Sequence, residues 1–374
     1  MKQVVIAGYA RTPFTLANKG ELIRVRPDEL AATAVKGLMA KTGIDGKEIE
    51  DLTMGCAFPE GEQGFNIARL VVLMAGLPLS VGGVTINRFC GSSMQGIHQA
   101  AGAIQMNAGH AFICAGVESM TRVPMPGFNP SPNPKLYEAM HSAYISMGIT
   151  AENLANKYGI SRQEQEAFAV ASHQKAAAAQ QAGKLADEII AVGSVTQDGC
   201  IRPETTLETL AGLKLAFDEK GTVTAGTSSP LTDGASATLV CSEEFAKAHG
   251  LPILARIKSI AISGCAPEIM GIGPVLSSQK AMERAGITAQ DLDIIELNEA
   301  FASQSLACIR DLGLDMAKIN LDGGAIALGH PLGATGARIT GKAAALLKRE
   351  GKQFALASQC IGGGQGIATI LEAV

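Results

Sequence analysis

The chain carries an internal repeat, and this feature constrains the fold more than any other. The segment 42–57 (TGIDGKEIEDLTMGCA) is echoed by 285–300 (AGITAQDLDIIELNEA), 243 residues further on. The same offset aligns Asn87 with His330, and AFICAGVESM with FALASQCIGG. One offset shared by three separated segments indicates two copies of a single folding unit.

Each copy alternates strand-like and helix-like segments, in the order strand, helix, strand, helix, strand, helix, strand. In the first copy these are VVIAG, a helix from Asp28, DLTMGC, a helix from Ile67, GVTIN, a helix from Gly91, and AFICAGV. Such alternation predicts two α/β halves with largely parallel sheets.

An insertion separates the two copies. It begins with the Pro-rich run VPMPGFNPSPNP after Arg122 and continues through Ala-rich helical sequence. The predicted organisation is a first half made of 1–119 and 232–252, an inserted domain at 120–231, and a second half at 253–374. Two halves with an insertion usually leave a cleft between them, where a ligand can bind.

Composition and charge exclude several classes of protein. The 31 basic and 35 acidic residues give a net charge of −4 without a long basic run, which argues against nucleic acid as a partner. The N-terminal run MKQVVIAGYARTPF lacks a signal-peptide pattern, and no segment approaches the roughly 20 apolar residues of a membrane span. We therefore expect a cytoplasmic protein. The eight cysteines form no CxxC pair, so we expect neither a disulfide framework nor a metal site.

Cys90 lies in NRFCGSSMQ, between a predicted strand and a predicted helix. A helix N-terminus stabilises negative charge, so this position predicts a thiol whose pKa lies below its usual value of about 8.5. The segment alone is equally compatible with a buried structural cysteine in a tight turn.

His330 lies in the corresponding turn of the second copy, among glycines and just before a helix. We interpret this turn as exposed. The histidine is then either a helix-cap residue or a general base for Cys90, and the equivalence of the two turns favours the base.

Two further strand ends carry candidate residues. Cys360 ends the strand FALASQC before three glycines, whose backbone N–H groups could bind an oxyanion. A lone cysteine in such a place is most often structural. Asn298 follows the strand IIEL, and the commonest role for asparagine before a helix is an N-cap.

Taken together, NRFCGSSMQ, NEAFA, GGAIALGHPLGATGARI and CIGGGQG resemble the thiolase family, in this order and along essentially the whole chain. The resemblance implies an αβαβα sandwich of two similar halves with an inserted CoA-binding loop domain. It also implies thiolysis of a 3-ketoacyl-CoA by CoA, which is reversible as a Claisen condensation, with no permanently bound cofactor.

The resemblance also implies a role for each candidate. Cys90 is the nucleophile that carries the acyl group, His330 activates it, and Cys360 is the acid and base at the acetyl-CoA carbon. One oxyanion hole combines His330 with a water held by Asn298. The other uses the backbone N–H groups of Cys90 and Gly362.

In the inserted segment, four residues are implied to contact CoA by their motif positions: Arg202, Thr209, Leu213 and Ser229. The motifs EQGFNIAR, IRPETT and VTAGTSS are more similar to degradative fatty-acid thiolases than to acetoacetyl-CoA thiolases. The latter usually carry His at the position of Ser146. An acetoacetyl-CoA thiolase nevertheless remains the alternative.

Three other hypotheses are distinguishable. A related condensing synthase would pair its cysteine with a different set of partners, and a non-catalytic acyl-CoA binder would not be acylated at Cys90. A nicotinamide dehydrogenase would require a strand–GxGxxG–helix unit, which the sequence lacks. The resemblance further implies a homodimer or homotetramer and a hydratase/dehydrogenase partner subunit.

Overall fold

The computed structural model describes residues 2–374, which form ten strands and twelve α-helices. The strands are β1 (Val4–Arg11), β2 (Thr15–Leu16), β3 (Asp51–Gly55), β4 (Gly82–Ile86), β5 (Ala111–Ser119), β6 (Thr232–Ser242), β7 (Ala255–Gly264), β8 (Ile294–Leu297), β9 (Phe354–Ile361) and β10 (Gln365–Glu372). The helices are α1 (Pro27–Thr42), α2 (Ile67–Met74), α3 (Ser92–Gln105), α4 (Pro134–Ala139), α5 (Met147–Tyr158), α6 (Arg162–Gln181), α7 (Leu207–Ala211), α8 (Glu243–Ala248), α9 (Gly273–Ala285), α10 (Ala302–Leu312), α11 (Ala325–Leu328) and α12 (Leu332–Glu350).

The repeat is visible in the order of the strands. The first half has the order β4-β3-β5-β6-β1 and the second has β7-β10-β9-β8. Read from the junction outwards, β7, β10, β9 and β8 repeat β1, β6, β5 and β3. The two sheets meet through a short pairing of β1 with β7. The predicted duplication is therefore present in the fold.

Helices cover and separate the two sheets in five layers. An apolar cluster joins α1 and α2 to the outer face of the first sheet. A second cluster places α3 and α12 between the sheets, and a third places α9 and α10 on the outer face of the second sheet. The expected αβαβα sandwich is confirmed.

The prediction of largely parallel sheets was wrong. The pairs β3–β4, β3–β5 and β8–β9 are parallel, but β6 and β10 pair antiparallel with both neighbours. The reason for β10 is local. The chain turns back directly after β9 through Gly363 and Gly364, at φ 79° and 82°, and a tight hairpin can only join antiparallel strands.

The second half also lacks the expected third strand among the described residues. Its counterpart is reduced to an isolated bridge between Ile295 and Ile319. Asn320 then turns the chain at φ 46°, and its side-chain amide continues the ladder in place of the backbone. Its Oδ1 accepts from the N–H of Leu297 at 3.0 Å, and its Nδ2 donates to the Leu297 carbonyl at 2.9 Å.

The chain between β5 and β6 crosses to the other half of the molecule. Its helices α5 and α6 pack against α10, and α6 also packs against α11. The segment therefore leaves the first half and lies on the second, so that it reaches the strand ends where the candidate residues lie.

Candidate active site

Cys90 sits in a tight turn between β4 and α3. The turn is closed by local hydrogen bonds: the Asn87 side chain accepts from the N–H of Phe89 at 2.8 Å, and the Ser92 hydroxyl accepts from the N–H of Arg88 at 2.8 Å. Gly91 allows the turn to touch the second half, because a Cβ there would lie 2.5 Å from the side chain of Ile361. Cys90 is thereby held against the end of β9.

The expected lowering of the Cys90 pKa was wrong. Burial raises the pKa of the thiol to about 12, and the nearby carboxylate of Glu118 adds to the effect. The backbone N–H groups of Gly362 and Cys90 oppose it by pointing at the sulfur. Desolvation outweighs these donors, so Cys90 rests as a thiol and needs a base.

His330 is buried, not exposed as its glycine-rich surroundings suggested. Its side chain is enclosed between α11 and α12 and is only 4% exposed. Gly329 has φ 100°, and a Cβ there would lie 2.7 Å from Thr232, whose hydroxyl accepts from the N–H of His330 at 3.0 Å. Because residue 329 is a glycine, the turn can pack closely against Thr232.

Both ring nitrogens of His330 have partners. Nδ1 lies 2.6 Å from the hydroxyl of Thr335, which in turn donates to the carbonyl of Pro331 at 3.1 Å. The Thr335 oxygen must then accept from Nδ1–H, which leaves Nε2 as the acceptor. Asn298 donates to Nε2 through its side-chain amide over a long 3.4 Å.

Electrostatics keep this imidazole neutral. Burial, together with the smaller effect of the positive charge of Arg338, lowers the pKa of His330 to about 3. At neutral pH the ring is unprotonated, with its basic lone pair on Nε2. It is in the form that can accept a proton from a thiol.

Asn298 is not an N-cap, because α10 begins at Ala302 with Phe301 as its N-cap. Its N–H instead donates to the carbonyl of Ser358 at 3.0 Å, which extends the pairing of β8 with β9. The side-chain Oδ1 is buried and has no partner among residues 2–374. An acceptor in this position can hold a water or a substrate group.

Cys360 lies on β9, fully buried in an apolar cluster with Phe301 and Met270. Burial raises the pKa of this thiol well above its ordinary value, and the neighbouring Cys90 adds to the rise. Next to it, the side-chain amide of Gln359 donates to the Cys90 carbonyl. The turn that carries Cys90 is thus bonded to the strand that carries Cys360.

The contacts join the candidates in two pairs, Asn298 with His330 and Cys360 with Cys90. Cys90, His330, Cys360 and Asn298 lie at the ends of different elements from both halves, and the N–H of Gly362 points at the Cys90 sulfur.

The four candidates for CoA contacts lie in the inserted segment, and only one of them is bonded to the site. Ser229 donates its N–H to the carbonyl of Ala300 at 3.0 Å, two residues beyond Asn298. Arg202 is exposed, and Leu213 is half-buried. Thr209 is exposed and closes a capping box with Thr206 at the start of α7.

Sequence reasoning missed three residues that organise the site: Thr335, Gln359 and Glu118. The Glu118 carboxylate accepts from the N–H groups of Ala57 at 2.8 Å and Gly333 at 2.9 Å, so it ties the loop after β3 to the start of α12. The sequence signal for Glu118 was that it is a single charged residue in an otherwise apolar strand. The roles of the other two depend on contacts that no local pattern reveals.

Two further kinds of site are absent from the part of the chain that the structure describes. No group of three or more His, Cys, Asp and Glu side chains is arranged to hold a metal ion. None of the helices there combines the length and apolar character needed to cross a bilayer. All eight cysteines are free thiols.

Comparisons with known proteins agree with this geometry. Residues 4–244 match the family model for the thiolase N-terminal domain, and residues 251–373 match that for the thiolase C-terminal domain. The 3-ketoacyl-CoA thiolases of Shewanella sp. strain MR-7 and Shewanella oneidensis are each 52% identical over 388 aligned positions, covering 100% of both chains.

A solved structure is similar as well. The crystal structure of human mitochondrial 3-ketoacyl-CoA thiolase has a TM-score of 0.92 and 38% identity, and the match covers 100% of this chain and 99% of that one. A second crystal structure of that enzyme, in complex with CoA, has the same TM-score and covers 98% of that chain. The chain belongs to the thiolase family.

Proposed function

We propose that the chain catalyses thiolysis of 3-ketoacyl-CoA by CoA, giving acetyl-CoA and an acyl-CoA shortened by two carbons. The observation that carries this proposal is that Cys90 rests as a thiol while His330 is neutral and accepts through Nε2. Relatives at 52% identity carry the name 3-ketoacyl-CoA thiolase, which supports the same activity here.

In the first step, Nε2 of His330 takes the proton of Cys90 as the sulfur attacks the 3-keto carbon. The bond between carbons 2 and 3 breaks, and its electron pair stays on carbon 2 as the enolate of acetyl-CoA. Cys360, which rests protonated, gives its proton to this carbon. Acetyl-CoA leaves, and the rest of the substrate remains as a thioester on Cys90.

In the second step, the Cys360 thiolate takes the proton of the incoming CoA thiol. The CoA sulfur attacks the thioester, and Cys90 leaves and recovers its proton from His330. Both cysteines and the histidine return to their starting states, so the cycle is balanced. The reverse sequence is a Claisen condensation.

Two oxyanions form during this cycle, and fixed donors are available for each. The backbone N–H groups of Cys90 and Gly362 point at the reacting sulfur and suit the oxyanion formed on the acyl group. Protonated His330, with a water held by Asn298, suits the enolate oxygen.

We further propose that residues 120–231 form a CoA-binding loop domain, in which Arg202, Thr209, Leu213 and Ser229 face CoA. The support is that this segment packs over the second half and bonds to the turn after Asn298 through Ser229. The human relative was solved in complex with CoA. No permanently bound cofactor is needed for the chemistry.

Chain-length preference distinguishes this proposal from an acetoacetyl-CoA thiolase. We expect kcat/KM for a ten-carbon 3-ketoacyl-CoA to exceed that for acetoacetyl-CoA by about tenfold or more, because each methylene buried in an apolar pocket adds binding energy. The measurement is the thiolysis rate on both substrates, followed by loss of the enolate absorbance. A strong preference for the four-carbon substrate would contradict the degradative assignment.

We propose a homodimer formed through β4. This strand pairs only with β3 among the described elements, so its other edge is open to pairing. Apolar side chains surround it: Phe65 is 93% exposed, Leu79 77% and Val84 40%. Such a patch beside an open edge is typical of an interface between copies.

Val84→Lys is therefore expected to convert the dimer to a monomer, because the charge would be buried unpaired between two edges. Light scattering after size-exclusion chromatography measures the mass. Met316→Lys is the matched control, because Met316 is 43% exposed but lies in the second half. A dimer that survives Val84→Lys, or a wild-type monomer, would contradict this interface.

Assembly and location extend the proposal. Association of two dimers into a homotetramer, binding to a hydratase/dehydrogenase subunit, and a cytoplasmic location are consistent with fatty-acid degradation. A partner subunit of that kind would supply the 3-ketoacyl-CoA that this site consumes.

A further inference from the structure

A buried ion pair, Glu296 with Arg338, joins the two elements that carry the hydrogen-bond partners of His330. Glu296 is on β8, two residues before Asn298, and residues two apart on a strand share a face. Arg338 is on α12, three residues after Thr335, and residues three apart on a helix also share a face. Nη1 of Arg338 donates to Oε2 of Glu296 at 3.0 Å.

The Glu296–Arg338 pair therefore forms a second connection between β8 and α12, the two elements that His330 also bridges. In the first connection, the Asn298 side chain is hydrogen-bonded to Nε2 of His330 from the β8 side, and the Thr335 hydroxyl is hydrogen-bonded to Nδ1 from the α12 side. In the second connection, Glu296 and Arg338 join β8 to α12 directly.

Stability does not account for this pair. Both side chains are fully buried. Within residues 2–374, Oε1 of Glu296 and both Nε and Nη2 of Arg338 have no hydrogen-bond partner. Burial raises the pKa of Glu296 to about 7 against the attraction of Arg338, so desolvation outweighs that attraction. Replacement of such a pair by apolar side chains of similar volume is often neutral or stabilising.

The charge of Arg338 also acts on His330. Its positive charge is, after burial, the second cause that lowers the pKa of the imidazole. The same residue thus helps to keep the ring in the neutral form.

We propose that Glu296 and Arg338 are a positioning pair, which fixes the spacing between β8 and α12 so that His330 is held at both ring nitrogens in the orientation that deprotonates Cys90. The inference rests on the proposed function, in which His330 is the base. Neither residue touches the reacting atoms.

The test replaces the pair by neutral side chains of similar volume, in the double variant Glu296→Gln/Arg338→Met. Three quantities are measured: the melting temperature, kcat and KM for CoA in thiolysis, and the rate at which acetyl-CoA acetylates Cys90, by rapid quenching and mass spectrometry. The control is Glu243→Gln/Arg256→Met, which removes a partly buried ion pair between α8 and β7.

The expected result is a loss of about 10–100-fold in both kcat and the acetylation rate, since misplacement of a catalytic group by about 1 Å can have an effect of this size. The melting temperature and KM should stay near the wild-type values, and the control should be fully active. Arg338→Lys, which keeps the positive charge, should recover about half of the lost rate on a logarithmic scale.

A double variant with wild-type kcat would overturn the proposal. A loss of rate that Arg338→Lys does not recover would also overturn it. So would a loss of rate that is accompanied by a large fall in melting temperature, because either result points to a merely structural role. If the double variant does not fold, Arg338→Met alone is compared with Arg338→Lys by the same criteria. Wild-type protein that is not acetylated at Cys90 would instead refute the proposed function itself.

Discussion

Cys90→Ala is expected to lower thiolysis by about 10⁴-fold or more, because the substitution removes the only atom that can carry the acyl group in the proposed mechanism. Cys90 is the thiol at which the N–H of Gly362 and the start of α3 converge. In the proposed mechanism the second thiol of the site, Cys360, serves as acid and base, so partial compensation is not expected.

The measurement is kcat/KM for a 3-ketoacyl-CoA with purified variants whose folding is checked by circular dichroism. Cys241→Ala is the matched control, because it removes a buried thiol of β6 in the core of the first half, away from the site. Turnover of Cys90→Ala within tenfold of wild type would contradict the proposal.

Cys360→Ala is expected to impair cleavage of the carbon–carbon bond more than transfer of an acyl group to Cys90. Thiolysis should fall by about 10²–10⁴-fold, the usual contribution of a general acid or base, because the enolate loses its proton donor. Acetylation of Cys90 by acetyl-CoA is the reverse of the second step, in which Cys360 exchanges a proton with the CoA sulfur. Because a CoA thiolate is a much better leaving group than an enolate, acetylation should be slowed far less than thiolysis in this variant.

Two assays on the same sample test this separation: thiolysis of a 3-ketoacyl-CoA and acetylation of Cys90. Cys90→Ala should fail in both, whereas Cys360→Ala should lose far more activity in thiolysis than in acetylation. Equal losses in both assays would show that Cys360 supports the position of Cys90 and is not the acid. Full thiolysis activity would remove it from the mechanism.

The repeat made much of this site predictable from the sequence. Because Asn87 and His330 share the same offset as the other repeated segments, the turns that carry Cys90 and His330 had to be equivalent. Equivalent strand ends in two halves packed face to face lie near one another. This geometric argument selected the candidate nucleophile and the candidate base together, and the family resemblance implied their roles.

Strand direction was not predictable in the same way. Alternating strands and helices indicate parallel pairs only where a helix crosses over between neighbours. One partner of β5 in the sheet is β6, which follows the long insertion, and β10 follows a hairpin turn of three glycines, 362–364. Asn320 replaced a backbone ladder by a side-chain amide, which hydrophobic patterning does not detect.

The protonation states were predicted least well, because burial is a property of the whole fold. The helix N-terminus next to Cys90 is a local feature and favours the thiolate, but the sequence does not show that both halves close over the sulfur. The same enclosure keeps His330 neutral. In the proposed mechanism, proton transfer from Cys90 to His330 therefore accompanies attack on the substrate, and a preformed thiolate–imidazolium pair is not required.

The measurement that tests the central claim most directly is the acylation of Cys90. The protein is incubated with acetyl-CoA, and intact and peptide mass spectrometry locate the adduct, with Cys90→Ala and Cys360→Ala as controls. We predict one acetyl group on Cys90, present in wild type and Cys360→Ala and absent in Cys90→Ala. An adduct on another residue, or none in the wild-type protein, would contradict the assignment of Cys90 as the nucleophile.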